Sequence, residues 1–415
     1  STIGGGNYNN ASGYASTISG GGVNTSSGWR STIGGGDHNT SSGYDSAIGG
    51  GINNTSSGYA STISGGSTNT SSGWGSTIGG GSTNTSSGNI STVSGGYGNT
   101  SSVWNSTIGG GSNNTSSGES STIGGGLGNT SSGNNSTIGG GGSNTSSGNG
   151  STIGGGSGNT SSGWDSTIGG GLTNTSSGNT STIGGGGGNT STGVYSVIGG
   201  GGSNGSSGWG ATIGGGYANS SSGYGATVGG GAGNISSGDY SIIGGGGTNT
   251  STGSFSTVPG GYYAKSTRYG ELSHAAGAFA SAGDAQHSVL IARTTTTDNT
   301  ANQVLFLDNS SARLTLPDKT TWTFSIKLSS YNDTDDAAAG WIFRGAIRRN
   351  GANGTAIVGA VIEENWKDSA MNSTTASVVA DDTNEALEIR VTGLTGKDIR
   401  WVAVVDISQV SYGTP

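Results

Sequence analysis

A repeat of 15 residues, uninterrupted over 17 units from Ser1 to Phe255, is the feature that constrains this chain most. The consensus is S-T-I-G-G-G-x-x-N-T-S-S-G-x-x. The third position is Ile or Val in every unit and the ninth is Asn in every unit, whereas positions 7, 8, 14 and 15 vary. Such regularity indicates a stack of identical structural units and not an ordinary globular domain.

Glycine and β-forming residues decide what each unit folds into. Gly accounts for 92 of the 415 residues, which disfavours helix. Fifteen residues suit one turn of a β-solenoid with two short strands, S-T-I and N-T-S-S, joined by glycine corners. Because side chains alternate along a strand, the Ile of each unit should form one ladder, with rungs about 4.8 Å apart.

One large apolar side chain per unit makes a thin core. Burying an Ile contributes about 1.5–3 kcal/mol, whereas ordering 15 residues costs on the order of 15–30 kcal/mol. Backbone ladders, stacked polar side chains and association between chains must supply the difference. We therefore predict an oligomer.

Charge and cysteine content exclude several classes of function. Residues 1–255 contain one basic residue, Arg30, and the net charge of the chain is −8. A nucleic-acid partner requires a basic stripe, so none is expected. The absence of Cys excludes disulfides and thiol chemistry. No run of 18 apolar residues occurs, so no membrane insertion is expected. The sequence indicates no cofactor.

The S-T-I-G-G-G-x-x-N-T-S-S-G unit resembles the repeat of trimeric autotransporter adhesin heads, the YadA-like left-handed parallel β-roll. Similar units occur in tail fibres of bacteriophages and in fibres of other large DNA viruses. The resemblance covers residues 1–255 and implies a homotrimeric, extracellular shaft. The resemblance predicts a specific architecture but says little about function.

The period breaks after residue 255. The segment Ser273-His274-Ala275-Ala276-Gly277 resembles the S-H-A-E-G repeats of phage fibres, with Ala276 where that pattern has Glu. We predict a neck of modified turns over 256–288. Residues 289–415 have alternating apolar runs separated by turn residues, which favours a jelly-roll-like β-sandwich. The predicted strands are Val289–Arg293, Gln303–Leu307, Thr321–Leu328, Trp341–Ile347, Thr355–Ile362, Ala376–Ala380, Ala386–Val391 and Ile399–Val410.

Residues Arg313–Pro317, Trp322–Phe324 and Ile399–Ala403 resemble a tip domain found at the C-terminus of phage tail fibres. An autotransporter adhesin should end in a coiled-coil stalk and a membrane anchor, and the last residues show neither pattern. We therefore favour a phage-type tail fibre on the virion tail, whose shaft is a spacer and whose tip binds a host glycan or protein receptor. The alternatives are a bacterial surface adhesin or a subunit of an extracellular structural filament, at the cell surface or secreted.

Polar stretches between the predicted strands are the candidate receptor-binding loops, because recognition residues concentrate on loops carried by a rigid scaffold. They are Tyr331–Asp336, Arg348–Asn353, Asn365–Asn372 and Asp381–Glu385. The aromatic candidates are Tyr331 and Trp366, with local packing as the alternative. The predicted site comprises Tyr331, Trp366, Asp333, Asp335, Arg348 and Arg349. The acids near residue 333 are also candidate calcium ligands, although a solvated turn is the simpler interpretation.

Two repeat positions offer further candidate sites. Position 14 is aromatic in several units, and this stripe could grip sugars or pack between protomers: Trp29, Tyr44, Tyr59, Trp74, Trp104, Trp164, Trp209 and Tyr224. The ninth-position asparagines are N-glycosylation sequons in 16 units, including Asn24, Asn39, Asn54 and Asn69. The alternative is a ladder of asparagines that satisfies backbone groups. A sugar is wider than one rung, so we favour the ladder.

Metal binding and catalysis have little support. His274 and His287 are weak metal candidates, because the His-x-His pattern of metal-binding phage fibres is absent. A glycan-cleaving enzyme needs two carboxylates that flank the scissile bond. The adjacent pairs Glu363–Glu364 and Asp381–Asp382 do not have that arrangement. The sequence analysis therefore predicts a protein that is not an enzyme.

Overall fold

A computed structural model describes residues 1–351 and 354–412 of the chain. The chain divides into two compact units, Ser1–Ser203 and Asn204–Pro415. Both contain turns of a parallel β-solenoid, and the second also contains antiparallel sheets. Residues Ser369–Met371 form a single 3-10 turn, and no described helix has the length and hydrophobicity needed to span a bilayer. The predicted all-β fold is confirmed.

Each solenoid turn has two strands of two residues, at positions 2–3 and 10–11 of the repeat. They are Thr2–Ile3 and Asn10–Ala11 in the first turn, and Thr257–Val258 and Lys265–Ser266 in the last. Successive turns pair in parallel with a register of 15 residues, as Thr137 does with Thr152. A bridge at position 7, such as that from Asn7 to Gly22, adds a third ladder that the sequence analysis did not predict.

Three of the four buried side-chain ladders in the solenoid are polar. The Ile or Val at position 3 is fully buried from Ile18 onwards, as predicted. Three further ladders are equally buried: the serines at positions 1 and 11 and the asparagine at position 9, such as Ser136, Ser131 and Asn129. Most of the interior side-chain surface is therefore stabilised by hydrogen bonds rather than by apolar burial.

The asparagine ladder joins three successive turns at each rung. The side-chain amide of Asn144 donates to the backbone oxygens of Gly140 (3.0 Å) and Gly156 (3.0 Å). Its Oδ1 accepts the backbone N–H of Asn159 at 3.0 Å. The amide thereby satisfies corner backbone groups that would otherwise be buried without partners.

The serine at position 11 of most repeats pairs with the serine at position 1 of the next. Ser26 and Ser31 lie 2.7 Å apart through their hydroxyl oxygens, and Ser31 donates to the carbonyl of Gly28 at 2.8 Å. In the first turn Ala11 occupies the position of the paired serine. Ser16 is accordingly a buried hydroxyl without a partner among the described residues.

Two glycine positions are dictated by close contact between turns. Gly141, at position 6, has φ of +91°, and a Cβ there would lie 2.0 Å from the carbonyl oxygen of Gly156. Gly133, at position 13, would place a Cβ 2.1 Å from the carbonyl oxygen of Gly148. These distances exclude a side chain without local movement, which explains why both positions are Gly in nearly every unit.

The strands that follow the repeats are numbered here from β1. Their bounds are β1 Leu272–His274, β2 Ala285–Thr296, β3 Gln303–Val304, β4 Leu314–Thr315, β5 Thr320–Asn332, β6 Ala337–Arg349, β7 Thr355–Lys367, β8 Thr375–Asp381, β9 Ala386–Thr392 and β10 Ile399–Ser411. Every strand predicted after residue 288 is present, and most are longer than predicted.

These strands form two antiparallel sheets. The large sheet has the order β1-β2-β10-β5-β6-β7, and in the small sheet β9 pairs with β3, β4 and β8. The inner face of the large sheet contributes Trp322, Trp341 and Trp401 to the core, and the small sheet contributes Leu387 and Ile389. The other face of the large sheet, called the open face here, is exposed.

The last solenoid turn departs from the consensus where it meets the sandwich. Arg268 occupies position 13, where most units have Gly, and Glu271 occupies the position of the first Ser. The two form a buried ion pair at 2.9 Å. The guanidinium also donates to the carbonyl of Thr315 at 2.8 Å and lies over the ring of Trp322. The modified turn is thus fastened to the sandwich core.

Candidate functional site

Strand register brings four polar or small residues into one row at the end of the open face. Thr295 on β2 pairs with Arg400 on β10, which pairs with Tyr331 on β5, which pairs with Ala338 on β6. The neighbouring residues Ser330 and Trp401 are buried on the opposite face. Alternation along the strands therefore exposes the row to solvent.

Trp366 on β7 lies in the adjacent row of the same face. It pairs with Gly340 on β6 and is 58% exposed, while Tyr331 is 47% exposed. Ala338 and Gly340 lie on the strand between the two rings and rise little above the sheet. This surface is called the strand-end platform: the rings of Tyr331 and Trp366 lie on either side of the small residues Ala338 and Gly340.

A cavity of about 330 Å³ adjoins the platform on the side of Tyr331. Thr295, Tyr331, Asp333, Asp398 and Arg400 line it. A second depression of about 310 Å³ is lined by Trp366 together with Ala338 and Gly340. The platform thus offers apolar ring surface next to carboxylate, guanidinium and hydroxyl groups.

The turn after β5 is rigid because its carboxylates are engaged. Tyr331 donates its hydroxyl to Asp336 at 2.8 Å, and this hydrogen bond raises the pKa of Tyr331. Asp335 accepts from the Lys397 ammonium at 2.7 Å and from the Asn332 amide at 2.8 Å. These two partners hold the pKa of Asp335 below its usual value.

The predicted site residues separate into two groups. Tyr331, Trp366 and Asp333 meet at the platform, and Asp335 supports the adjoining turn. Arg348 and Arg349 lie ten or more residues along β6 from Ala338, roughly 33 Å at the usual rise of a strand, and do not belong to the site. Arg349 instead pairs with Glu385 and donates to the carbonyl of Leu316.

Several predicted loops are strands. Tyr331 and Trp366 lie within β5 and β7, and Arg348 and Arg349 end β6. The inward positions that β5 adds after the end of the predicted strand are Ser330 and Asn332, which are buried but polar. The apolar alternation therefore stops before the strand does. Ala352 and Asn353, in the predicted loop Arg348–Asn353, lie outside the described residues.

The sequence analysis missed Thr295, Asp398 and Arg400. Arg400 alternates with the buried Ile399 and Trp401, so its outward orientation was readable from the pattern. Its proximity to Tyr331 depends on the pairing of β10 with β5, which joins segments about 70 residues apart and leaves no local signal.

The aromatic stripe is a stack of rings. Tyr44 lies between Trp29 and Tyr59, with ring centroids 5.9 and 5.2 Å apart and interplanar angles of 19° and 5°. Trp209 and Tyr224 stack at 4.6 Å. Because neighbouring rings cover each other's faces, the inner rings present edges to solvent, which favours packing along the solenoid over stacking on sugars.

The ninth-position asparagines are inaccessible in the folded turns. Asn24, Asn39, Asn54 and Asn69 are fully buried, and each side-chain nitrogen donates to two backbone carbonyls. An amide committed in this way has no room for an attached glycan. The geometry therefore agrees with the ladder interpretation.

The two histidines of the neck are direct cross-strand partners. His274 on β1 pairs with His287 on β2, and the His287 Nε2 lies 2.8 Å from Asp406 Oδ1. Among residues 1–351 and 354–412, no three His, Cys, Asp or Glu side chains are grouped so that they could hold a metal ion. This applies equally to the acidic turn near Asp333.

The adjacent carboxylate pairs occupy structural positions. Glu364 lies 3.6 Å from Arg344 on the open face. Burial raises the pKa of Asp381, but hydrogen bonds from Asn384 and from the turn backbone outweigh it and lower the pKa to about 2. Asp382 accepts the backbone N–H of Thr355 at 2.7 Å.

No protein-family model matches the sequence, and no curated protein matches it. Among solved structures, the chain is similar to the tailspike protein gp49 of the Acinetobacter baumannii bacteriophage Fri1, described as a capsular polysaccharide depolymerase. The identity is 9%, the TM-score is 0.19, and 94% of this chain and 82% of that chain are covered. The chain is also similar to the tailspike protein of A. baumannii phage AM24, with 9% identity and a TM-score of 0.18; 97% of this chain and 69% of that chain are covered.

The description of the Fri1 tailspike as a depolymerase contradicts the prediction that a chain of this kind is not an enzyme, and that prediction is withdrawn. The identities and TM-scores of both matches are low. They assign no activity to this chain.

Proposed function

We propose that this protein is an extracellular attachment protein of the fibre type, whose C-terminal sandwich binds a host-surface glycan at the strand-end platform. The observation that carries the proposal is the placement of Tyr331 and Trp366 on one face of the large sheet, across a floor of Ala338 and Gly340. Both rings are about half exposed without a large apolar neighbour between them.

The chemistry of the platform suits a saccharide. Sugar rings have an apolar face that packs on aromatic side chains and hydroxyl groups that need hydrogen-bond partners. Tyr331 and Trp366 offer the first, and Arg400, Asp333 and Asp398 offer charged donors and acceptors beside them. Short strands of the solenoid turns, in contrast, present mainly Thr, Ser and Gly to solvent.

Support for a fibre comes from the repeats. Residues 1–255 resemble the shafts of adhesive fibres, and such shafts serve as spacers that carry a binding domain away from the particle or cell. We place the protein on a phage-type virion tail. A bacterial surface adhesin with the same solenoid is the alternative.

We further propose that three copies associate, as the resemblance of the repeats implies. The centre of the open face carries exposed apolar side chains in neighbouring positions: Ile291, Val402 and Val404 are 52%, 43% and 39% exposed. Charges of both signs, Lys327 and Asp406, lie among them. Association through this face would cover the apolar surface. Light scattering that gives the mass of a folded monomer would exclude it.

The experiment for the platform compares single alanine variants. Tyr331→Ala and Trp366→Ala should each weaken binding to the recognised glycan by about tenfold or more, because buried aromatic anchors dominate such interfaces. Capsular polysaccharides and host-cell surfaces are the probes, and biolayer interferometry is the measurement. Tyr8→Ala, which removes a 90% exposed ring from the first solenoid turn, is the matched control.

The same incubation is assayed for reducing ends. Wild-type binding by both platform variants would refute the site. A rise in reducing ends with time would add cleavage to binding, and its loss in Asp333→Asn or Asp398→Asn would locate the cleavage at the platform.

A further inference from the structure

A small cavity of about 160 Å³ lies where the last solenoid turn meets the sandwich. It is separated from the platform by nine residues along β2 and along β10, roughly 30 Å at the usual rise of a strand. Its wall includes Lys265 and Arg268 from the turn, Gln286 from β2 and Gln409 from β10. Both glutamines are 8% exposed and Arg268 is 7% exposed, so the cavity reaches into the protein.

The glutamines are part of the wall, and three of their four side-chain N–H groups are already engaged. Gln286 donates to the carbonyl of Lys265 at 2.9 Å and to the Ser288 hydroxyl at 3.3 Å. The Gln409 side chain accepts from the indole of Trp322 at 2.8 Å and donates to the carbonyl of Gly283. The groups left to act on a ligand are therefore the two cations and the second N–H of Gln409.

Arg268 is neutralised, and Lys265 is not. The carboxylate of Glu271 is fully buried, accepts from Arg268 at 2.9 Å, and also accepts the backbone N–H groups of Thr267 and Arg268 at 2.8 and 3.0 Å. None of the ion pairs formed within residues 1–351 and 354–412 involves Lys265. The cluster of two cations and one carboxylate keeps one positive charge.

The lysine is held in place. A Cβ at Gly283, where φ is +87°, would lie 2.8 Å from the Cβ and 3.4 Å from the Cδ of Lys265, so the aliphatic stem packs directly on this glycine. Burial and the nearby Arg268 charge lower the pKa of Lys265. A cation in this environment gains more from a counter-ion than a solvated lysine does.

We propose that this pocket binds one small oxyanion, either an inorganic ion such as sulfate or phosphate or the carboxylate of an acidic compound. Lys265 would supply the charge, and Arg268 has N–H groups beyond the two that bond to Glu271 and Thr315. The cavity, at about 160 Å³, is large enough for a single oxyanion. The proposal is independent of the glycan platform.

The test uses the full chain in sulfate, phosphate or glucuronate, with chloride adjusted to constant ionic strength. Sulfate should give a saturable rise in the Tm of the sandwich of about 2 °C or more. Lys265→Met should abolish this rise. Lys319→Met, which removes an exposed lysine that does not line the cavity, should retain it. A response to sulfate and phosphate without glucuronate identifies an inorganic ion, and a response to glucuronate identifies a carboxylate.

A second measurement does not depend on the variant's stability. Acetylation of Lys265 in the wild-type chain, followed by mass spectrometry, should slow severalfold in saturating sulfate, while acetylation of the exposed Lys319 should not. Equal Tm responses in wild type and Lys265→Met, or unchanged acetylation of Lys265, would overturn the proposal.

Discussion

The solenoid turns and the C-terminal sandwich solve the same problem with opposite chemistry. In the turns, one Ile per 15 residues is buried beside one Asn and two Ser, and the hydrogen-bonded ladders run from turn to turn. In the sandwich, Trp322, Trp341 and Trp401 and many aliphatic residues fill a single apolar core between two sheets. A repetitive fold can thus rely on polar ladders, because each partner recurs at every rung, whereas an aperiodic fold depends on apolar burial.

Charge divides along the same line. The first unit, Ser1–Ser203, contains four carboxylates, Asp37, Asp45, Glu119 and Asp165. The sandwich contains many more, and several of them cap turns. Asp308, for example, accepts three backbone N–H groups, from Ser310, Ser311 and Ala312. The two regions should therefore respond differently to core substitutions and to pH.

The largest effect should follow from a charge in the isoleucine ladder. Ile138→Asp buries a carboxylate without a partner, and we expect a loss of more than about 4 kcal/mol, enough to disrupt neighbouring turns. Thermal unfolding followed by circular dichroism is the measurement. The control is Thr137→Asp, since Thr137 is the outward neighbour in the same strand. Equal Tm values for the two variants would show that the ladder does not face the interior.

The next effect is selective acid unfolding of the sandwich. Hydrogen bonds hold the pKa of Asp308 and Asp381 below the unfolded value of 3.8, with Asp381 at about 2. Groups with a depressed folded pKa contribute stability that is complete above about pH 4 and is lost as pH falls towards 2. Tryptophan fluorescence of Trp322, Trp341 and Trp401 should report unfolding in this window.

The first unit should keep its β-sheet circular dichroism across the same pH range. Asp308→Asn, which cannot gain from ionisation, should flatten the pH dependence of the sandwich between pH 4 and 2. Simultaneous loss of both signals would mean that the two regions do not differ in this respect.

These contrasts also explain what could be predicted from the sequence. Strand positions in the turns and in the sandwich followed from alternation and from glycine, which are local signals. Positions 8 and 15 of the repeat adopt positive φ with non-glycine residues, as at Thr173 (+53°) and Asp165 (+51°), and their variability disguised this constraint. The neck ion pair of Arg268 and Glu271 was missed because it replaces two small residues without changing the spacing.

The candidate site was predictable only in part. Tyr331 and Trp366 were identified as exposed aromatic residues, but their common face depends on the pairing of β5, β6 and β7. Cross-strand register is set by the fold as a whole, since a shift by one residue would turn each side chain to the other face. Arg348 and Arg349 were wrongly grouped with Tyr331 because the sequence did not reveal the length of β6. This strand has 13 residues and places the two arginines at the end opposite Ala338.

A moderate loss of stability should distinguish the buried asparagines at position 9 from the exposed asparagines at position 14. Asn144→Ala leaves the Gly140 carbonyl and the Asn159 N–H without partners and removes one of the two hydrogen bonds to the Gly156 carbonyl, which should cost about 1–3 kcal/mol. Asn149→Ala removes an exposed side chain whose Oδ1 accepts one long hydrogen bond of 3.4 Å, and should change stability by less than about 0.5 kcal/mol. Denaturant unfolding of the two variants measures the difference, and similar midpoints would contradict a structural role for the ladder.

The smallest effect on stability concerns the aromatic stripe. Stacked and isolated rings can be compared there within the compact unit Ser1–Ser203. Tyr44 contacts the rings of Trp29 and Tyr59 and the guanidinium of Arg30, whereas the position-14 residues on either side of Trp164 are Asn149 and Asn179. Tyr44→Ala should therefore cost about 0.5–1.5 kcal/mol, and Trp164→Ala should cost less than about 0.5 kcal/mol. If instead neither variant changes the Tm and Tyr44→Ala weakens glycan binding, the aromatic stripe binds sugars and does not stabilise the turns. A loss of stability with unchanged glycan binding would assign the stacked rings to the solenoid itself, and would leave recognition to the strand-end platform.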